Sequence, residues 1–167
     1  MKRLSLLIFI LLLIVVAFLL INQRQTKKSQ EVTEKTEVNI VDYRASFAIF
    51  TNGTFRVFTA SMYHNLSADV FIQADNPNVV HVKKNGIIWN DFFKTLPFKL
   101  TDTCLTTGTG ETFCSGENGQ LKFYLNGVKT DSLLGKIIQN GDRALITFGK
   151  EDETQIQNQL EQVPAIK

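Results

Sequence analysis

Cysteine and histidine are scarce in this 167-residue chain, with two of each. Two cysteines allow at most one internal disulfide and exclude a four-cysteine zinc site. Cys104, Cys114, His64 and His81 together are just enough ligands for a tetrahedral metal, yet neither histidine stands within a short motif of another ligand. They read as isolated residues, and a Cys104–Cys114 crosslink would remove the site altogether. Also missing are a Gly-x-Ser-x-Gly elbow, a His-Glu-x-x-His helix and a phosphate-binding glycine loop, so the usual motif grounds for a serine hydrolase, a zinc peptidase or a nucleoside triphosphatase are lacking. The carboxylates are scattered rather than paired, and Asp91 reads as a charge at a helix start rather than a catalytic acid. The sequence names no cofactor.

An excess of positive charge is lacking where a nucleic-acid reading would need it. The net charge of +2 comes from the first 36 residues, which hold 6 Lys and Arg against 2 Glu. The remainder holds 12 Lys and Arg against 14 Asp and Glu, about −2. Basic residues beside an apolar run meet anionic head groups well, whereas a slightly acidic domain argues against a nucleic-acid partner.

That apolar run extends from Leu4 to Ile21, 18 residues with Ser5 as the single polar one. As a helix it measures roughly 27 Å, close to the thickness of the hydrocarbon layer. Asn22-Gln23-Arg24-Gln25 follows with no small-residue cleavage pattern, so the run reads as an uncleaved signal anchor. Basic residues on its two flanks nearly tie. The three-residue tail and an oxidised cysteine pair then set the orientation: residues 1–3 cytoplasmic, 4–21 in the cell membrane, the rest extracytoplasmic. Residues 22–42, rich in Gln, Lys, Glu and Thr, read as a polar stalk, and 43–164 as the folded domain.

Within the domain, short apolar runs alternate with Asn-Gly pairs, and 11 of the 13 phenylalanines supply the core. Asn-Gly accepts the positive φ angles of a two-residue type I′ turn, so residues 48–58 predict a hairpin around Asn52-Gly53 with Phe50 facing Phe55. Residues 121–129 predict a second around Asn126-Gly127, with Leu121, Phe123 and Leu125 alternating. Further strands are expected over 69–73, 79–83 and 143–148. Trp89, Phe92, Phe93 and Leu96 share one helical face that Pro97 ends, and Ile156, Leu160 and Val163 mark a C-terminal helix begun by Glu151-Asp152-Glu153. The expectation is an α+β fold: a small, mostly antiparallel β domain with one or two short helices, built of β-grasp-like units and suggesting duplication, preceded by a single transmembrane helix.

Cys104 and Cys114 flank a Thr- and Gly-rich stretch symmetric about Thr109. If it folds back through Gly108-Thr109-Gly110, the cysteines stand opposite each other, where a non-hydrogen-bonded pair accepts a disulfide. A structural staple is the first reading. A redox pair is the second, although catalytic dithiols use Cys-x-x-Cys at a helix start, and nothing equivalent lies here.

Val79-Val80-His81-Val82, the stretch Asn90-Asp91-Phe92-Phe93-Lys94-Thr95-Leu96, Asp102-Thr103-Cys104, Phe113-Cys114, Phe123-Tyr124-Leu125-Asn126-Gly127 and Gly141-Asp142-Arg143 carry a resemblance. Over about Ala45 to Val163 the chain resembles a family of small membrane-anchored proteins of minimal archaea and candidate-phylum bacteria, often labelled protein-disulfide isomerase. That label implies redox work by Cys104 and Cys114. The residues themselves favour a non-enzymatic envelope or surface binding module with a protein partner the sequence does not identify; the alternative is a thiol-disulfide oxidoreductase or isomerase using the Cys104/Cys114 pair.

Overall fold

The computed structural model describes residues 40–166, together with Phe18. The expected cytoplasmic tail (1–3), membrane anchor (4–21) and stalk up to residue 39 lie outside the described residues, Phe18 excepted. No helix among the described residues is long and apolar enough to cross a membrane.

Over residues 40–166, ten strands and two α-helices follow in chain order: β1 (Ile40–Thr51), β2 (Thr54–Phe55), β3 (Val70–Ile72), β4 (Val79–Lys84), α1 (Trp89–Thr95), β5 (Lys99–Leu100), β6 (Cys104–Thr106), β7 (Thr112–Cys114), β8 (Gln120–Leu125), β9 (Val128–Lys129), β10 (Arg143–Gly149) and α2 (Glu153–Glu161). Seven strands form one sheet in the order β3-β4-β1-β10-β8-β9, with β2 beside β1. β5, β6 and β7 form a separate three-stranded sheet. Every pairing is antiparallel except that of β1 with β10 at the centre, which sets Ser46 opposite Arg143 and Thr51 opposite Phe148. The fold is therefore α+β with mostly antiparallel sheets and two helices.

Both Asn-Gly turns take the backbone expected of them. Asn52 and Gly53 have φ of 49° and 75°, Asn126 and Gly127 of 54° and 81°. Phe50 and Phe55 are register partners with ring centroids 5.1 Å apart in an edge-on arrangement. The first hairpin is shorter than residues 48–58 suggest. After Arg56, whose N–H donates to the Ile49 carbonyl at 2.8 Å, the chain leaves the ladder, so that Phe58 drops into the core against Phe47, 5.1 Å between rings, while Val57 stays exposed.

The stalk expected over 22–42 ends earlier than the sequence implies. Ile40 already pairs with Lys84, and Lys83 bonds Asp42 at 2.7 Å, so strand structure begins three residues before the domain boundary expected at Tyr43. Val41 and Tyr43 pack against the core, which is why the strand extends so far back.

The main sheet is covered on both faces. On one, Phe47, Ile49, Val80, Val82, Ile146 and Phe123 pack against Trp89, Phe92 and Phe93 of α1 and against the small sheet through Leu105 and Phe113. On the other, Ala48, Phe50 and Leu145 pack against Leu160 and Val163 of α2 and the turn that follows it. Burial on both faces explains why the stretch from Ala45 to Thr51 is continuously buried rather than alternating.

Both helices start as their sequences require. The Asp91 carboxylate accepts the Ile88 N–H at 3.2 Å, the helix-start position expected of it. Asp152 and Gln155 exchange two bonds of 2.9 Å, a reciprocal capping box.

Candidate functional site

Cys104 and Cys114 are disulfide-bonded and are direct register partners in the β6–β7 hairpin, with Cα atoms 4.1 Å apart. The Ser115 N–H donates to the Thr103 carbonyl at 2.8 Å, the bond that brackets a non-hydrogen-bonded pair in an antiparallel ladder. The staple geometry read from the symmetric spacing is thus the geometry found. Cys104 is half-buried and Cys114 exposed, and both lie in strands rather than at a helix start.

The hairpin also holds one wall of a groove. Thr107, Gly108 and Thr109 at its tip, with Leu105 below, face the segment 54–63 across a cleft of about 350 Å³. Ile49, Phe58, Phe98 and Leu105 form its floor, and Val57 (63 % exposed) and Met62 (53 % exposed) stand at its mouth. Cavities of this size with mostly apolar linings are the ordinary form of a ligand or side-chain receptor site.

Three contacts set the width of the groove. Arg56 bonds Thr51 Oγ1 through its Nε at 2.6 Å and Glu111 through its guanidinium at 3.3 Å, tying the 54–63 segment to β1 and to the hairpin. Gly108 sits so close to Pro97 that a Cβ there would stand 2.8 Å from the Pro97 carbonyl oxygen. The Thr106 and Thr112 hydroxyls, 3.1 Å apart, close the polar face of the hairpin.

The two histidines lie apart in the chain's structure from this pair. His64 bonds the Phe58 carbonyl through Nε2 at 2.9 Å, and His81 stacks on Phe71 in β3. Burial, then the nearby Arg44 and Lys83 charges, hold His81 below its usual pKa. Among the described residues no group of three or more His, Cys, Asp or Glu side chains is arranged to hold a metal ion.

The groove was not foreseen in the sequence, because Phe58, Phe98 and Leu105 belong to separate segments with no common motif. The trace it leaves there is a crowding of large apolar side chains, Phe55, Val57, Phe58, Met62 and Tyr63, into one short segment. No family model, no curated protein and no solved structure matches this chain.

Proposed function

We propose that this protein is a membrane-tethered, extracytoplasmic and non-enzymatic binding module, whose apolar groove receives apolar side chains of a protein partner. The observation that carries the reading is the pair Val57 and Met62, left exposed at the mouth of a cleft floored by Phe58, Phe98 and Leu105. Large apolar side chains gathered at a concave site favour an apolar occupant more than the same residues scattered singly. Tethering rests on the 18-residue run from Leu4 to Ile21, and the outward orientation is supported by the disulfide. The membrane-anchored family that the chain resembles has the same organisation. A β-grasp relationship is supported by the central parallel pairing of the first strand with the last, and the two Asn-Gly hairpins remain the ground for a duplicated unit.

The test uses the full chain in lipid nanodiscs, titrated with toluene as an apolar probe and followed by methyl NMR. Saturable shifts at Val57 and Met62 are expected, with the Met62 shift lost in Val57→Asp and the Val57 shift lost in Met62→Asp. Shifts spread evenly over the surface, or unchanged in those variants, would refute the groove.

A second reading, thiol-disulfide exchange, draws support from the exposure of Cys114, which an attacking thiolate could reach. Redox titration separates the two. A reduction potential below about −300 mV fits a staple, and one near −120 to −200 mV fits an oxidant or isomerase.

A further inference from the structure

Phe71 on β3, His81 on β4 and Arg44 on β1 form a cross-strand row, each the register partner of the next. The Arg44 N–H donates to Asn140 Oδ1 at 2.9 Å and its carbonyl accepts the Gly141 N–H at 2.7 Å. Both main-chain groups therefore point toward β10, which leaves Arg44 and His81 as a non-hydrogen-bonded pair. Such pairs bring Cα atoms to roughly 4.5 Å and side chains closest together. On its other side the His81 ring lies flat on Phe71, with centroids 5.2 Å apart and planes 7° from parallel. The imidazole is thus held in one orientation next to a guanidinium.

Arg44 and His81 border a cleft of about 380 Å³, lined also by Gln73, Asp75, Asn76 and Val79 and, from the C-terminal segment, by Ala165 and Ile166. Among the described residues, two neighbouring cations are paired: Lys83 with Asp42 at 2.7 Å and Lys84 with Asp69 at 3.6 Å. By contrast, the Arg44 guanidinium, the His81 ring nitrogens and the Gln73 and Asn76 amides form no side-chain hydrogen bond or ion pair with the described residues. Donors that converge on a cleft without protein partners are available to a ligand.

We propose that this cleft binds a small oxyanion, a phosphate monoester or a carboxylate, between the Arg44 guanidinium and the His81 imidazole. The planar fork of arginine matches both anions with two parallel N–H···O bonds. His81 adds one N–H when neutral, and the two amides can supply more. The charges facing His81 are Arg44 and Asp42 from β1, Lys83 from its own strand and Asp75 from the turn after β3. Among the described lining residues Asp75 is the one carboxylate that opposes an anion, so its removal strengthens binding. An anion on Arg44 offsets the cations that disfavour imidazolium, and His81 then titrates at higher pH.

The experiment is a histidine-detected NMR titration of the full chain in nanodiscs with inorganic phosphate and separately with acetate, at constant ionic strength. His64, bonded to the Phe58 carbonyl, serves as the internal reference. A saturable shift confined to His81, weakened about tenfold or more in Arg44→Gln and strengthened in Asp75→Asn, is expected from the loss and gain of a charge-assisted contact. A response to phosphate alone assigns a phosphoryl ligand, and a response to acetate assigns a carboxylate. A shift that fails to saturate, appears equally at His64 or persists in Arg44→Gln overturns the site, as does a Asp75→Asn variant that binds no better while Arg44→Gln retains the native spectrum.

Discussion

The Arg56 guanidinium lies over the ring of Phe113, 5.3 Å from its centroid. Because Phe113 is buried in β7 and Arg56 follows β2, this contact joins the two walls of the apolar groove. The accompanying ion pair with Glu111 is solvent-exposed, at 34 % and 57 % for the two side chains. A cation over an aromatic ring contributes roughly 0.5–1 kcal/mol at such a site, and an exposed pair up to about 1 kcal/mol. Arg56→Ala is expected to lower stability by about 1–2 kcal/mol in urea titration, and Glu111→Ala by less than half as much. Equal losses would mean that the ion pair, not the ring contact, joins the walls.

Gly108 and Gly110 separate two reasons for glycine in one loop. Gly108 lacks room for a side chain against the Pro97 carbonyl, whereas Gly110 has open space but a φ of 88°. Gly108→Ala should force the hairpin tip away from Pro97, cost roughly 1–3 kcal/mol and weaken toluene binding in the groove. Gly110→Ala should cost about 1–2 kcal/mol through backbone strain alone and leave that binding intact. Thermal melts together with the probe titration check both.

Much of this was legible because short-range chemistry dictated it. Asn-Gly can hardly avoid a tight turn, so both hairpins and the Phe50–Phe55 pairing follow from neighbours in sequence. The spacing of Trp89, Phe92, Phe93 and Leu96 likewise gives α1, and the symmetric threonines around Thr109 give the facing cysteines. The central pairing of β1 with β10 was not legible, since nothing in residues 46–51 states that their partner lies at the other end of the chain. Ile40 and Val41 were assigned to the stalk because their polar neighbours outweighed them in composition. Arg56 was hidden for the opposite reason: its importance comes from Thr51, Glu111 and Phe113, and no local pattern connects them.

Lys122 and Glu151 form the most buried ion pair among the described residues, at 3.0 Å with side chains 14 % and 5 % exposed. The second Glu151 oxygen is buried without a hydrogen-bond partner, and a Cβ on Gly149 would collide with that carboxylate. Lys122→Met alone leaves an uncompensated charge and should cost about 3–5 kcal/mol. Adding Glu151→Leu should recover most of that loss. A double variant no more stable than the single one, measured by denaturant midpoint, would show that the pair holds α2 by shape rather than by charge.

His81 makes stability depend on pH in a definite direction. Its folded pKa lies below the ordinary value near 6.5, with burial the first cause and Arg44 and Lys83 the next. The unfolded chain therefore binds a proton that the folded chain refuses, so stability falls as pH drops below about 7 and levels off below the folded pKa. His81→Gln should flatten the slope that opens as pH falls below about 7, as read from urea midpoints. An unchanged slope would assign the acid sensitivity to other groups.

The parallel pairing of β1 with β10 also governs the order in which the protein can be made. The strand that emerges first in the domain waits for the last strand before the middle of its sheet can close, and distant pairings of this kind fold slowly. Local hairpins form within microseconds, but until β10 arrives β1 presents Phe47 to Phe50 along an unpaired edge. A ribosome that stalls before Gly141 leaves a chain with its turns in place and a long apolar strand open on one edge to any neighbour.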